Sequence, residues 1–167
     1  MKNIVLIGMP GAGKSTLGVL LAKALGRPFV DTDLLIQHRE GKLLQSIIDQ
    51  EGIKYFLKLE EEVITELELK NYVIATGGSV VYSQKTMDCL KKNGVVLYLS
   101  LPFEELRERI QNIKTRGVAM EKGQSLKALY MERGPLYEQY AEVTIDCFGL
   151  TMEQVVELMV TKLELME

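Results

Sequence analysis

The run Gly8-Met9-Pro10-Gly11-Ala12-Gly13-Lys14-Ser15 limits the fold of this chain more than any other part of it. It fits the pattern G-x-x-x-x-G-K-[ST] and stands between a short apolar stretch, Asn3 to Ile7, and a segment from Gly13 to Leu25. In that segment Leu17, Leu20, Leu21, Ala24 and Leu25 recur at helical spacing, and Gly26 follows as a residue able to take a left-handed cap. The apolar stretch suits a strand buried on both faces of a parallel sheet. Strand, glycine-rich turn and helix, in that order, make a phosphate cradle. The glycines let the main-chain N–H groups of Gly11, Ala12, Gly13, Lys14, Ser15 and Thr16 turn toward phosphate oxygens, and the helix start adds its partial positive charge. Lys14 is expected to bridge the outer phosphates of ATP, and the Ser15 hydroxyl to ligate Mg²⁺. A chance match in a chain of this length has a likelihood on the order of one in a hundred, and its placement between strand and helix lowers that further.

The remaining pattern alternates strands and helices. Pro28 to Val30, Tyr72 to Ala75, Val95 to Leu99 and Val143 to Asp146 read as further strands. From Asp33 to Leu69 the spacing is helical with breaks near Gly41 and Gly52, which predicts two short helices and a longer one from about Ile53. Further helices are expected over Gln84 to Lys92, from Pro102 onward, and from about Ser125 to Tyr140. A last one is opened by Thr151, with Gln154 three residues on as a capping box. Between Gln111 and Gln124 the apolar periodicity fails, and Gly117 and Gly123 give the segment the composition of a mobile loop, read here as a lid. The expected architecture is α/β: one domain over residues 1–167, with five parallel strands between two layers of helices. Ligands collect outside the carboxyl ends of such strands, where the loops after Ile7, Val30 and Ala75 open.

Bulk properties remove several functions. A net charge of −3 and a pI near 5.4 provide no positive field for nucleic acid. No apolar run reaches the roughly 18 residues needed to cross a bilayer, and no secretory cleavage pattern opens the chain. A cytoplasmic monomer without nucleic-acid or membrane partners is expected. Cys89 and Cys147 have no paired spacing and are read as buried small apolar residues. His38, the single histidine, is read as a surface or rim residue rather than a metal ligand.

An acceptor side is written in Asp31-Thr32-Asp33, which leaves the second strand on the edge where the phosphate loop opens. Alternate residues of an extended segment point the same way, so both carboxylates are expected to face one cleft. Asp31 would hold the Mg²⁺ water shell, and Asp33 would orient an alcohol or accept its proton. The plainer alternative makes Asp33 an N-cap and Asp31 a solvated strand end. Thr76-Gly77-Gly78-Ser79 adds a loop whose paired glycines permit close approach of backbone to a ligand.

Taken together, G-M-P-G-A-G-K-S-T, D-T-D, T-G-G and the R-G-P-L-Y of Arg133 to Tyr137 resemble shikimate kinase over nearly the whole chain. The resemblance implies a nucleoside-monophosphate-kinase-like fold, a substrate-binding helical region over about residues 33–60, and a closing lid over about 111–124. It implies transfer of the ATP γ-phosphate to the 3-hydroxyl of shikimate. By position, Asp33 would contact the acceptor hydroxyl, Asp31 and Ser15 the magnesium, Gly77 and Gly78 the substrate through N–H groups, and Arg133 its carboxylate. Arg116 would reach the transferring phosphate from the lid, and Arg109 would lie against adenine. Three positions depart from the pattern. Leu57 stands where F-R-x-x-E has its arginine, Arg116-Gly117-Val118-Ala119 replaces R-P-L-L, and Ser79 replaces the third glycine of T-G-G-G. Lys54, three residues before Leu57, is a candidate to carry a cation to the missing position. Without such a repair Glu60 loses the partner that an arginine would give it, and a free carboxylate there would favour an acceptor's amine or hydroxyls. Two rival functions stay open at this point: a kinase of another small alcohol, such as an amino alcohol, and an ATP-binding switch that transfers nothing.

Overall fold

The computed structural model describes residues 1–111 and 117–166. β1 (Asn3–Ile7) is buried along its whole length and runs through the phosphate loop into α1 (Lys14–Leu25). β2 (Phe29–Asp31) leads into α2 (Thr32–Glu40), α3 (Leu44–Glu51) and α4 (Ile53–Thr65), the two breaks falling at Gly41 and Gly52. β3 (Val73–Ala75) is followed by a single 3₁₀ turn at Val80–Tyr82 and by α5 (Gln84–Asn93). Then come β4 (Gly94–Ser100), α6 (Phe103–Gln111), α7 (Leu126–Tyr140), β5 (Val143–Asp146) and α8 (Met152–Glu164).

The five strands form one parallel sheet in the order β2-β3-β1-β4-β5. β1 is central, pairing Leu6 with Ala75 on one side and with Leu97 on the other. The phosphate loop therefore leaves the middle of the sheet with the loop after β3 beside it. Leu6, Ile7, Val96, Leu97 and Ile74 fill the main core between the helical layers. A second apolar cluster, built on Ile36, Ile47, Phe56, Leu59 and Val63, holds α2, α3 and α4 together. Ala119 of the expected lid is buried in that second cluster. A chain of this size buries enough apolar surface for such a core to hold without disulfides.

Local signals explain most boundaries. Ser83 caps α5 through Thr86 N, Ser125 caps α7 through Ala128 N, and Thr151 with Gln154 closes the capping box of α8. Three expectations need correction. Helix α2 begins at Thr32, not after the D-T-D run, so Asp33 lies in its first turn rather than on an extended segment; Asp31 is the N-cap, and its side chain accepts from Asp33 N and Leu34 N. On α1, Ala24 is exposed while Gly18 and Ala22 are buried with Leu17 and Leu21, because the helix is clamped between the sheet and α8 and needs small residues there. Cys147 is buried as expected, but Cys89 is only half-buried. No described helix is long and apolar enough to cross a membrane.

Candidate active site

The loop between β1 and α1 has the backbone of a phosphate cradle. Gly8, Gly11 and Gly13 all have positive φ, and Gly13 is the N-cap of α1 with no side-chain hydrogen bond to the first turn, a helix end of the kind that favours an anion. Met9 and Ala12 turn inward and anchor the loop in the core. Lys14 is buried, and its Nζ donates to Gly8 O at 2.7 Å and Met9 O at 2.8 Å, which holds the ammonium over the loop. Arg109, in the last turn of α6, donates from Nη1 to Gly11 O at 3.4 Å, so this side chain lies against the same loop.

Ser15 Oγ donates to Asp31 Oδ2 at 2.5 Å, bringing together the hydroxyl and the carboxylate expected at the metal. Among the described residues no group of three His, Cys, Asp or Glu side chains could hold an ion. One hydroxyl beside one carboxylate suits Mg²⁺, which keeps several waters and takes further ligands from phosphate, better than a cation that needs an all-protein cage.

Lys14, Ser15 and Asp33 share a cavity of about 30 Å³ with Gly77, Gly78 and Arg133. Its opposite wall is Gly117, Val118 and Ala119. The glycines are required by crowding. A Cβ at Gly77 would lie 2.6 Å from Asp33 Oδ1 and 2.8 Å from Glu60 Oε2, and one at Gly78 would lie 2.9 Å from Arg133 Nη1. Two carboxyl groups and a guanidinium thus converge on one two-residue strip of backbone.

Arg133 is completely buried. Its Nη2 donates to Ala119 O, its Nε donates to Tyr82 Oη at 3.1 Å, and its Cζ stands 5.1 Å from the centre of the Tyr82 ring. Nη1 has no hydrogen-bond partner among the described residues and faces the Gly78 wall of the cavity. Glu60 is as deeply buried, and Ser79 Oγ donates to its Oε1 at 2.8 Å. Burial pushes the Glu60 carboxyl up to about 8, with Asp33 adding to the rise and Ser79, Arg133 and Lys14 opposing it.

The sequence-based candidates divide accordingly. Asp31, Asp33, Lys14, Ser15, Gly77, Gly78 and Arg133 meet at the carboxyl ends of β1, β2 and β3, while Arg116 lies outside the described residues. Lys54 is not brought to this cavity. It is exposed and lines a separate hollow with Leu57, Tyr82, Glu121 and Glu132, on the far side of Ala119. The reason is helical phase: α4 turns Phe56, Leu59, Glu60 and Val63 inward, which leaves Lys54 outside. Nor has Glu60 lost its partner, since Ser79 supplies one. Sequence reasoning also passed over Tyr137, whose hydroxyl donates to Gly78 O at 2.6 Å while its ring stacks on Tyr98. Its spacing of four from Arg133 on one helix was the available signal.

The comparisons with known proteins agree with this geometry. A family model described as shikimate kinase matches residues 10–164. The shikimate kinase of Caldanaerobacter subterraneus subsp. tengcongensis is 41% identical over 160 residues, spanning 94% of this chain and 93% of that protein. That of Actinobacillus pleuropneumoniae serotype 5b is 39% identical over 163 residues, spanning 96% and 92%. Among solved structures, the shikimate kinase from Acinetobacter baumannii in complex with shikimate matches with a TM-score of 0.90 at 33% identity, over 98% of this chain and 93% of that one. With the family model covering residues 10–164 and these relatives covering more than nine-tenths of the chain, the chain belongs to the shikimate kinase family.

Proposed function

We propose that this chain transfers the γ-phosphate of ATP to a ring hydroxyl of shikimate. The observation that carries the reading is the single cavity in which Lys14 and Ser15 of the phosphate loop meet Asp33, the Gly77–Gly78 backbone and Arg133. In the transfer the acceptor oxygen loses its proton and bonds to the γ-phosphorus, as the bond from that phosphorus to the bridging oxygen breaks and ADP leaves. Such a step needs little covalent chemistry from the protein and depends on positioning and charge.

The first-turn N–H groups of α1 and the Lys14 ammonium grip the phosphates and draw charge toward the leaving group. Asp33 orients the alcohol and takes its proton at a carboxylate oxygen. Gly77 and Gly78 donate main-chain hydrogen bonds to the acceptor, and Arg133 Nη1 meets its carboxylate. Arg109 holds the adenine side, while the role at the transferring phosphate expected of Arg116 lies outside the described residues. Ser15 and Asp31 would hold Mg²⁺, which supplies charge neutralisation at the phosphates. The cavity of about 30 Å³ has room for about one or two waters, so the pocket must open for a ring to enter and then exclude solvent around it. A cytoplasmic monomer with no nucleic-acid partner completes the reading.

Coupled measurement of ADP release tests it, with shikimate, other polyols and amino alcohols such as homoserine as acceptors in the presence of Mg²⁺. Release that depends on shikimate is expected. Release that ignores every acceptor would make the chain a slow ATPase or sensor, and a preference for an amino alcohol would move the acceptor assignment.

A further inference from the structure

Glu60 is a carboxyl group buried behind the glycine wall of the acceptor pocket, and its one hydrogen bond to a side chain among the described residues comes from another element. A buried carboxyl group left without a partner is costly, whether ionised or neutral. The residue one helical turn earlier on α4 is Leu57, half-buried against the second apolar cluster and unable to supply a hydrogen bond. The partner comes instead from the loop after β3. Ser79 Oγ donates to Glu60 Oε1 at 2.8 Å, and both side chains are almost completely buried. Ser79 has φ −87° and ψ −5°, an ordinary conformation for any residue, so neither backbone strain nor a need for glycine opposes a side chain there. Glu60 Oε2, the other oxygen, has no hydrogen-bond partner among the described residues and lies against Gly77, on which Asp33 Oδ1 also converges.

We propose that Ser79 is a positioning residue for phosphoryl acceptance: its hydroxyl locks the Glu60 carboxyl against Gly77 and beside Asp33, doing with one neutral hydrogen bond what a cation at position 57 would otherwise do. The inference rests on the reading that this pocket takes the acceptor alcohol. It follows that positions 57 and 79 are coupled through Glu60 although they sit on different elements. The charged and titratable groups facing Glu60 are Asp33, Arg133 and Lys14, and the Ser79 bond lowers the pH at which this carboxyl ionises beside Asp33.

The test is steady-state kinetics on Ser79→Ala, Leu57→Arg/Ser79→Gly and Ser79→Gly, with shikimate and ATP varied separately. Loss of one hydrogen bond to a buried carboxyl predicts an acceptor KM raised about ten-fold in Ser79→Ala and Ser79→Gly, with ATP KM within about two-fold of wild type. Leu57→Arg should restore acceptor KM in the Ser79→Gly background, because the guanidinium reaches Glu60 from α4. A merely structural role for Ser79 in its own loop would not be rescued from another helix, so failure of that rescue overturns the proposal. An unchanged acceptor KM in Ser79→Ala overturns it as well, while transfer by the wild type would leave the functional reading standing. Should the Ser79 variants fold poorly, Glu60→Gln carries the test. Its amide oxygen still accepts from Ser79, so acceptor KM stays within about three-fold, whereas Glu60→Ala, which leaves Ser79 nothing to hold, raises it about ten-fold; equal effects of the two overturn the proposal.

Discussion

Ser15 Oγ donates to Asp31 Oδ2 while the other oxygen of the same carboxylate accepts from Asp33 N, so one side chain ties the start of α1 to the start of α2. The two tasks can be separated by substitution. Asp31→Asn keeps an oxygen to cap α2 but removes the charge beside Ser15. It should melt within a few degrees of wild type yet lose about a hundred-fold or more in kcat and require more Mg²⁺. Asp31→Ala should show the same kinetic loss plus roughly 1 kcal/mol of stability from the missing cap. Thermal melts and Mg²⁺ titrations of initial rate check both, and an Asn variant with unaltered Mg²⁺ dependence would contradict the metal assignment.

Lys14 and Asp33 line one cavity, and the proposed function gives them separate tasks. Lys14→Ala should abolish transfer to every acceptor and weaken ATP binding measured by calorimetry. Asp33→Asn should lower kcat by about a hundred-fold or more while nucleotide affinity stays within a few-fold. Equal loss of both properties in Asp33→Asn would count against the division of roles.

Glu60 links stability to pH. Its carboxyl is pushed up to about 8 in the fold from an ordinary 4.5, so the folded state binds more protons than the unfolded state between those values. Stability is then fully present below about pH 4.5 and falls as pH rises through about 8, opposite in sign to a salt-bridged carboxylate. Urea midpoints taken at about pH 6, 7 and 8.5 should decline in the wild type more than in Glu60→Gln, which has no proton to lose there. Parallel profiles for the two proteins would show that Glu60 is not the group responsible.

Tyr137 holds the Gly78 backbone at the cavity wall. Burial raises its hydroxyl well above the usual phenol value, so it stays a donor to Gly78 O. Tyr137→Phe leaves that carbonyl without its partner at a cost of about 1–2 kcal/mol. For a chain of this length the melting temperature should fall by roughly 2–4 °C per kcal/mol. Because Gly78 forms the pocket wall, acceptor KM should rise several-fold with ATP KM unchanged, a split that steady-state kinetics reads directly.

Much of the fold is legible along the chain because its signals are local. The apolar run Asn3–Ile7, the glycine pattern after it and the helical repeat beyond need only neighbouring residues to be recognised. Thr151 and Gln154 announce the start of α8 in the same way, and the strand at Val143–Asp146 lies where its apolar pattern places it. The phosphate side of the site shares this legibility, since a loop that wraps an anion is built from consecutive N–H groups. Arg109 and Arg133 were found only by resemblance, because nothing local separates them from other surface-type arginines.

What the chain alone determined is the set of elements, their order and the chemistry of the phosphate loop, all of which depend on residues a few positions apart. Only the tertiary structure decided which oxygen of Asp31 serves Ser15, that Lys54 lines a separate hollow, and that Ser79 satisfies Glu60 from 19 positions away. Those outcomes follow from helical phase and from the side-by-side arrangement of β1 and β3, which brings distant loops to one edge. Burial then forces each polar group to find a partner there, and sequence distance has no influence on which partner is nearest.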